Sequence, residues 1–174
     1  TSTASGRCDR VVEFATTVTD NCGADVVCEP PSGSVFALGT NTVTCTATDT
    51  SGNQKTCAFL VIVLDTERPA IACPADITVN TEPGRCDAVT TFAVNASDNC
   101  ALATLVCVPP SGNRFSKGVT TVTCTATDAS GNTTNCSFRV TVNDPEPPTI
   151  ICPQNLVLHT EPGFCSARAT FSPQ

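Results

Sequence analysis

Apolar residues fall on every second position through much of this chain. In "VTCTATD" (122–128) the inward set is Val122, Cys124 and Ala126, and the outward set is Thr123, Thr125 and Thr127. That period predicts a β-strand with a small apolar inner face and a threonine outer face. "CSFRVTV" (136–142) places Cys136, Phe138, Val140 and Val142 on one side. Between the two runs stands "DASGN", whose Ser-Gly-Asn tolerates the positive φ of a hairpin turn. "ITVNT" and "CDAVTTFAV" flank the turn "EPGR", and "ATLVCV" ends at Pro109-Pro110, which cannot continue a central strand. The longest apolar run, "FLVIVL" (59–64), predicts a buried strand. No window carries a helical apolar stripe, so short strands separated by turn residues predict an antiparallel β-sandwich.

The pattern occurs twice. "TVTCTATDTSGN" (42–53) returns as "TVTCTATDASGN" (121–132), and "EPPSGSVFALG" (29–39) as "VPPSGNRFSKG" (108–118). "DNC" stands at 20–22 and 98–100, "IACPADITV" (71–79) returns as "IICPQNLVL" (150–158), and "TEPGRCDAVTTF" (81–92) as "TEPGFCSARATF" (160–171). The spacing is 78 to 79 residues, so the repeat is a domain rather than a solenoid turn. The linkers "LDTERPAI" (64–71) and "NDPEPPTI" (143–150) are short and proline-bearing, and predict semi-rigid spacers.

Composition narrows the setting. Thirteen cysteines in 174 residues predict a secreted, disulfide-rich protein. No Cys-x-x-Cys pair points to zinc or thiol redox chemistry. The net charge of −7, with nine Lys and Arg, lacks the basic footprint that nucleic-acid binding requires. No apolar run reaches the length of a membrane span.

The order CP, PGxC, DNC, PPSGxxFxxG, TVTCTATDxSGN, CxFxVxV resembles the hyalin repeat (HYR) domain over nearly the whole chain. The resemblance implies tandem immunoglobulin-like β-sandwiches associated with cell adhesion and extracellular matrices. On that frame residues 1–66 are a first domain lacking its first strand, 67–145 a complete domain, and 146–174 the first strands of a third unit. Two explanations fit these ends: an excerpt of a longer tandem, or donor-strand exchange. In the second, residues 150–158 complete the first domain of another copy, giving head-to-tail self-association.

Six cysteines per complete unit allow fifteen connectivities. In the immunoglobulin-like arrangement Cys107 and Cys124 face the core on neighbouring strands, which predicts Cys107–Cys124 and its counterpart Cys28–Cys45. Cys100 and Cys136 belong at one end of the sandwich and are expected to pair, as are Cys22 and Cys57. Cys73–Cys86 and Cys152–Cys165 then remain, and Cys8 stands alone.

Catalysis finds little material. His159, the single histidine, sits at a strand end where the other unit has Asn80, with no nucleophile and acid gathered around it. We expect no catalytic residue, no organic cofactor and no enzyme activity. Calcium is the candidate ligand: Asp65 and Glu67 in the first linker would abut Asp98, Asn99 and Asp128 in the loops of the next domain. The alternative is that these residues only shape turns. Three sequons, at Asn95, Asn132 and Asn135, are candidate glycosylation sites. The functional expectation is a rigid stalk or filament subunit; the alternative is a module whose end loops recognise a glycan or a cell-surface protein.

Overall fold

The structure, a computed structural model, describes residues 1–152 and 154–170. The first domain contains β1 (Asp9–Val12), β2 (Ala24–Glu29), β3 (Ser34–Ala37), β4 (Gly39–Asp49) and β5 (Gln54–Val63). β2, β4 and β5 form one antiparallel sheet and β1 pairs with β3. The second domain contains β6 (Ala70–Ala72), β7 (Ile77–Asn80), β8 (Asp87–Val89), β9 (Asn95–Ser97), β10 (Leu102–Val108), β11 (Arg114–Ser116), β12 (Gly118–Asp128) and β13 (Thr133–Asn143). Its main sheet has the order β10-β12-β13-β7, with β7 parallel to β13, and the pairs β11–β8 and β6–β9 face it.

Each core grows from the alternation in the sequence. Val122, Cys124 and Ala126 are fully buried, and the first two meet Phe138, Val140 and Val142 from β13, with Ala88 and Phe115 closing the opposite layer. Val43, Cys45, Val61, Val63 and Phe36 repeat this in the first domain. Phe92 meets Phe138 edge-on at 4.9 Å, and Phe14 meets Phe59 likewise at 5.0 Å, the geometry that the ring quadrupole favours.

The twice-used hairpin turn has a definite reason. Asp128 Oδ1 accepts from the backbone N–H groups of Ser130 and Asn132, and Oδ2 accepts from the Asn132 amide. Asp49 does the same with Ser51 and Asn53. Gly131 and Gly52 turn the chain at φ +90° and +86°, where a side chain is disfavoured. An Asp, a Gly and an Asn at fixed offsets are all needed at once.

"FLVIVL" departs from the expectation. Phe59, Val61 and Val63 turn inward, but Leu60, Ile62 and Leu64 are 59%, 47% and 55% exposed. An antiparallel hairpin here has one face on the core and the other in solvent, and the matching positions of the second domain are Arg139, Thr141 and Asn143.

The two domains also differ at one edge. In the second, β6 and β7 run along β13 and β9 and bring Cys73 to Cys136. In the first, only Ser2 bridges to Leu64, in parallel, with Thr3 N–H donating to Leu64 O. By the cysteine frame these two residues correspond to Asn80, the last residue of β7, and Thr81 just after it.

The core packing is testable through its aromatics. Phe115→Ala should destabilise the second domain by about 3–5 kcal/mol, whereas Val119→Ala, at an exposed site, should stay within about 0.5 kcal/mol. Denaturant titration of both variants checks this.

Candidate functional site

The residues with chemistry to offer converge where the two domains meet. The linker leaves β5 at Leu64 and presents Asp65, Thr66 and Glu67 to a turn of the first domain, Ser5–Cys8, and to two loops of the second, Asp98–Cys100 and Asp128–Asn132. Glu67 Oε2 accepts from Gly6 N–H at 2.9 Å, fixing the linker to the turn. Asn99 Nδ2 donates to Arg7 O at 2.8 Å, and Asn132 Nδ2 donates to Asp65 O at 3.2 Å. Arg7 holds Asp9 through a two-pronged contact at 2.7 and 2.9 Å, which orders the turn on either side of Cys8. That hydrogen bond, with the guanidinium charge, draws the Asp9 carboxyl below its ordinary value.

Across this junction Cys8 is bonded to Cys100, joining residues 92 apart in sequence. This corrects two expectations, that Cys8 stands alone and that Cys100 pairs with Cys136. Cys100 faces the neighbouring domain, and Cys136 is claimed by Cys73. The expected Cys73–Cys86 pair is excluded because β7 carries the chain away from Cys73, leaving Cys86 exposed at the opposite end of the sandwich. Cys107 is bonded to Cys124 and Cys28 to Cys45, each pair directly opposite in register. Neither Cys22–Cys57 nor Cys152–Cys165 forms: all four are free and exposed.

Three side-chain oxygens at the junction lack partners. Asp65 is 7% exposed; its Oδ1 accepts from Glu67 N–H while Oδ2 has no donor. Asp98 Oδ2 accepts from Cys100 and Ala101 N–H, leaving Oδ1 bare, and Asn99 Oδ1 is likewise unsatisfied. Ligand atoms of Asp65, Asp98 and Cys100 lie within 4.8 Å of one another. The Cys100 sulfur is taken up in its disulfide and offers no thiolate. The available donors are therefore hard oxygens, two of them carboxylate, in a place where an unmet acceptor is costly.

Glu67 and Asp128, also expected among the donors, are engaged elsewhere: Glu67 on the Gly6 turn and Asp128 on its own hairpin. Burial pushes the Asp128 carboxyl up, but the Asn132 amide and the turn N–H groups outweigh it and hold the group below its usual value. Asp49 is lowered by the same set, led by Asn53. Asn95 and Asn135 are exposed, whereas Asn132 is half-buried and its amide donates to both Asp128 and Asp65. The cross-domain bond escaped sequence reasoning, although the 92-residue offset between a PGxC-type turn and the next DNC was a usable signal.

Two small disulfide-bearing sandwiches, clasped in series, define a tandem extracellular-type β-module. HYR domains match residues 3–63 and 64–142, and the chain belongs to the HYR domain family. It is 33% identical to hyalin of Lytechinus variegatus over 90% of the chain and 31% of that protein. Against hyalin of Strongylocentrotus purpuratus the identity is 32%, over 93% of the chain and 14% of the relative. A mouse sushi, von Willebrand factor type A, EGF and pentraxin domain-containing protein 1 is 33% identical over 62% of the chain and 3% of its own length. The chain thus spans less than a third of each. A solved protocadherin gammaB7 EC3-6 cis-dimer structure overlaps 72% of the chain and 41% of its own at 16% identity and a TM-score of 0.36.

The lowered carboxyls set a pH dependence. Their folded values lie below the unfolded one, so their contribution is complete above about pH 4 and is lost as pH falls through the folded values. The thermal midpoint should be flat above about pH 5 and fall steeply below about pH 4. The double variant Asp49→Asn, Asp128→Asn should reduce that slope.

Proposed function

We propose that the chain is an extracellular, load-bearing spacer of adhesion type, in which consecutive HYR domains are held at a fixed angle. The observation that carries this reading is the covalent clasp between Cys8 and Cys100 across the junction. A linker of a few residues between Val63 and Ala70 would by itself permit hinge motion. A second covalent strut, with the Glu67, Asn99 and Asn132 hydrogen bonds beside it, closes the junction into a ring and removes most of that freedom. Membership of a family that includes hyalins, and a cysteine content suited to oxidising compartments, support the extracellular setting.

The reading includes a cation. Ca²⁺ suits Asp65, Asp98 and Asn99, whose unpartnered oxygens come from the linker and the next domain, with backbone oxygens and water completing its shell. Bound there it neutralises two carboxylates and braces the joint.

Small-angle scattering tests the first part. The intact chain should give one sharp, elongated distance distribution, and Cys8→Ser, Cys100→Ser should broaden it; identical profiles would contradict the role of the clasp. Calcium at about a hundredfold its Kd should stabilise by about 2.7 kcal/mol. Chelator should reverse this and Asp65→Asn abolish it. A melting curve indifferent to calcium and chelator would remove the cation.

A further inference from the structure

We infer that the first domain accepts residues 149–157 of a second copy of this chain as a sandwich strand, and that the disulfides Cys57–Cys152 and Cys22–Cys86 lock the two copies together.

The acceptor is a groove of about 540 Å³ along the edge of the first domain, whose lining includes Thr17, Val18, Ala47, Gln54, Thr56 and Cys57. In the second domain the same place is filled by β6, and β7 continues along the adjoining edge of β13. There β6 pairs with residues 95–97, the counterparts of 17–19, and Cys73 bonds to Cys136, the counterpart of Cys57. The consequence shows in burial. Ala126 is 0% and Phe138 4% exposed, yet Ala47 and Phe59, their counterparts, are only half-buried, and Cys57 is exposed and free.

The donor is equally explicit. Among the described residues, 149–152 and 154–158 belong to no strand, and Ile150, Ile151, Leu156 and Val157 are 87%, 95%, 57% and 85% exposed. By the register of β6 and β7, Ile150 would meet Val18, Cys152 would meet Cys57, and Leu156 would pair with Val61 as Ile77 does with Val140. Val157 then lies beside Ile62 on the outer face, where the second domain pairs polar Thr78 with Thr141. The exposed stripe Leu60, Ile62, Leu64 gains an apolar neighbour that β7 would not supply. This match favours a copy of this chain as the occupant. Thr1 and Ser2 already cover Val63 and Leu64, so the donor leaves the edge after Val157.

The other thiols follow the same frame. Cys8 bonds to Cys100 between consecutive domains. One domain further along, the counterparts are Cys86 of the donor copy and Cys22 of the acceptor, both free and exposed. Head-to-tail joining thereby uses four of the five free cysteines. Each bond forms as two thiols give two electrons and two protons to glutathione disulfide, which departs as two glutathione thiols.

The test uses the whole chain in a glutathione redox buffer. The unaltered protein should give a concentration-dependent ladder on non-reducing gels, unaffected by chelator, which separates this inference from the cation proposed above. An acceptor-blocked chain (Cys22→Ser, Cys57→Ser) and a donor-blocked chain (Cys86→Ser, Cys152→Ser) should each stay monomeric, and mixing them should yield a dimer that grows no further. Ile150→Asp with Val157→Asp lies in the exposed donor and should suppress the ladder without unfolding either domain. A monomer at every concentration would overturn the inference. So would Cys57 found on Cys22, or Cys152 on Cys165, within one chain.

Discussion

The bond from Cys8 to Cys100 constrains two domains that would otherwise share a short linker and a handful of hydrogen bonds. It places the Ser5–Cys8 turn of one sandwich against the Asp98–Cys100 loop of the next, and the rest of the junction falls into line around it. Small sandwiches need such help. With Phe36 and Phe115 the only fully buried aromatics among the described residues, one in each core, the units bury modest apolar area for their length. Cross-links within each sheet offset the entropy of ordering, and the one between domains limits how the two sandwiches can turn against each other.

The same bond explains the chemistry collected beside it. Closing the junction takes Asp65 out of solvent and aims it at Asp98 with no cation from the chain between them, since Arg7 is occupied by Asp9. These two unpartnered carboxylate oxygens are the observation on which the proposed cation rests.

The fold was largely legible because alternation and turn chemistry are local. Val122, Cys124 and Ala126 announce their burial by period alone, and the Asp-x-Ser-Gly-Asn turn by its composition. Membership of the HYR family was legible from motif order. Disulfide partners were legible only where register is local, as for Cys107 and Cys124 on adjacent strands. Cys100 defeated the reading because its partner lies in another domain, and nothing in a single unit's pattern says which loop faces outward along the array. Asp65 and Asp98 could be nominated from loop position, but Glu67 and Asp128 could not be set apart from them without knowing which N–H groups each already accepts.

The central claim concerns one covalent link between domains. Digestion of the unreduced protein followed by mass spectrometry tests it most directly. The account predicts a peptide bearing Cys8 joined to a peptide bearing Cys100; recovery of Cys100 bound to Cys136, or of Cys8 as a free thiol, would contradict it.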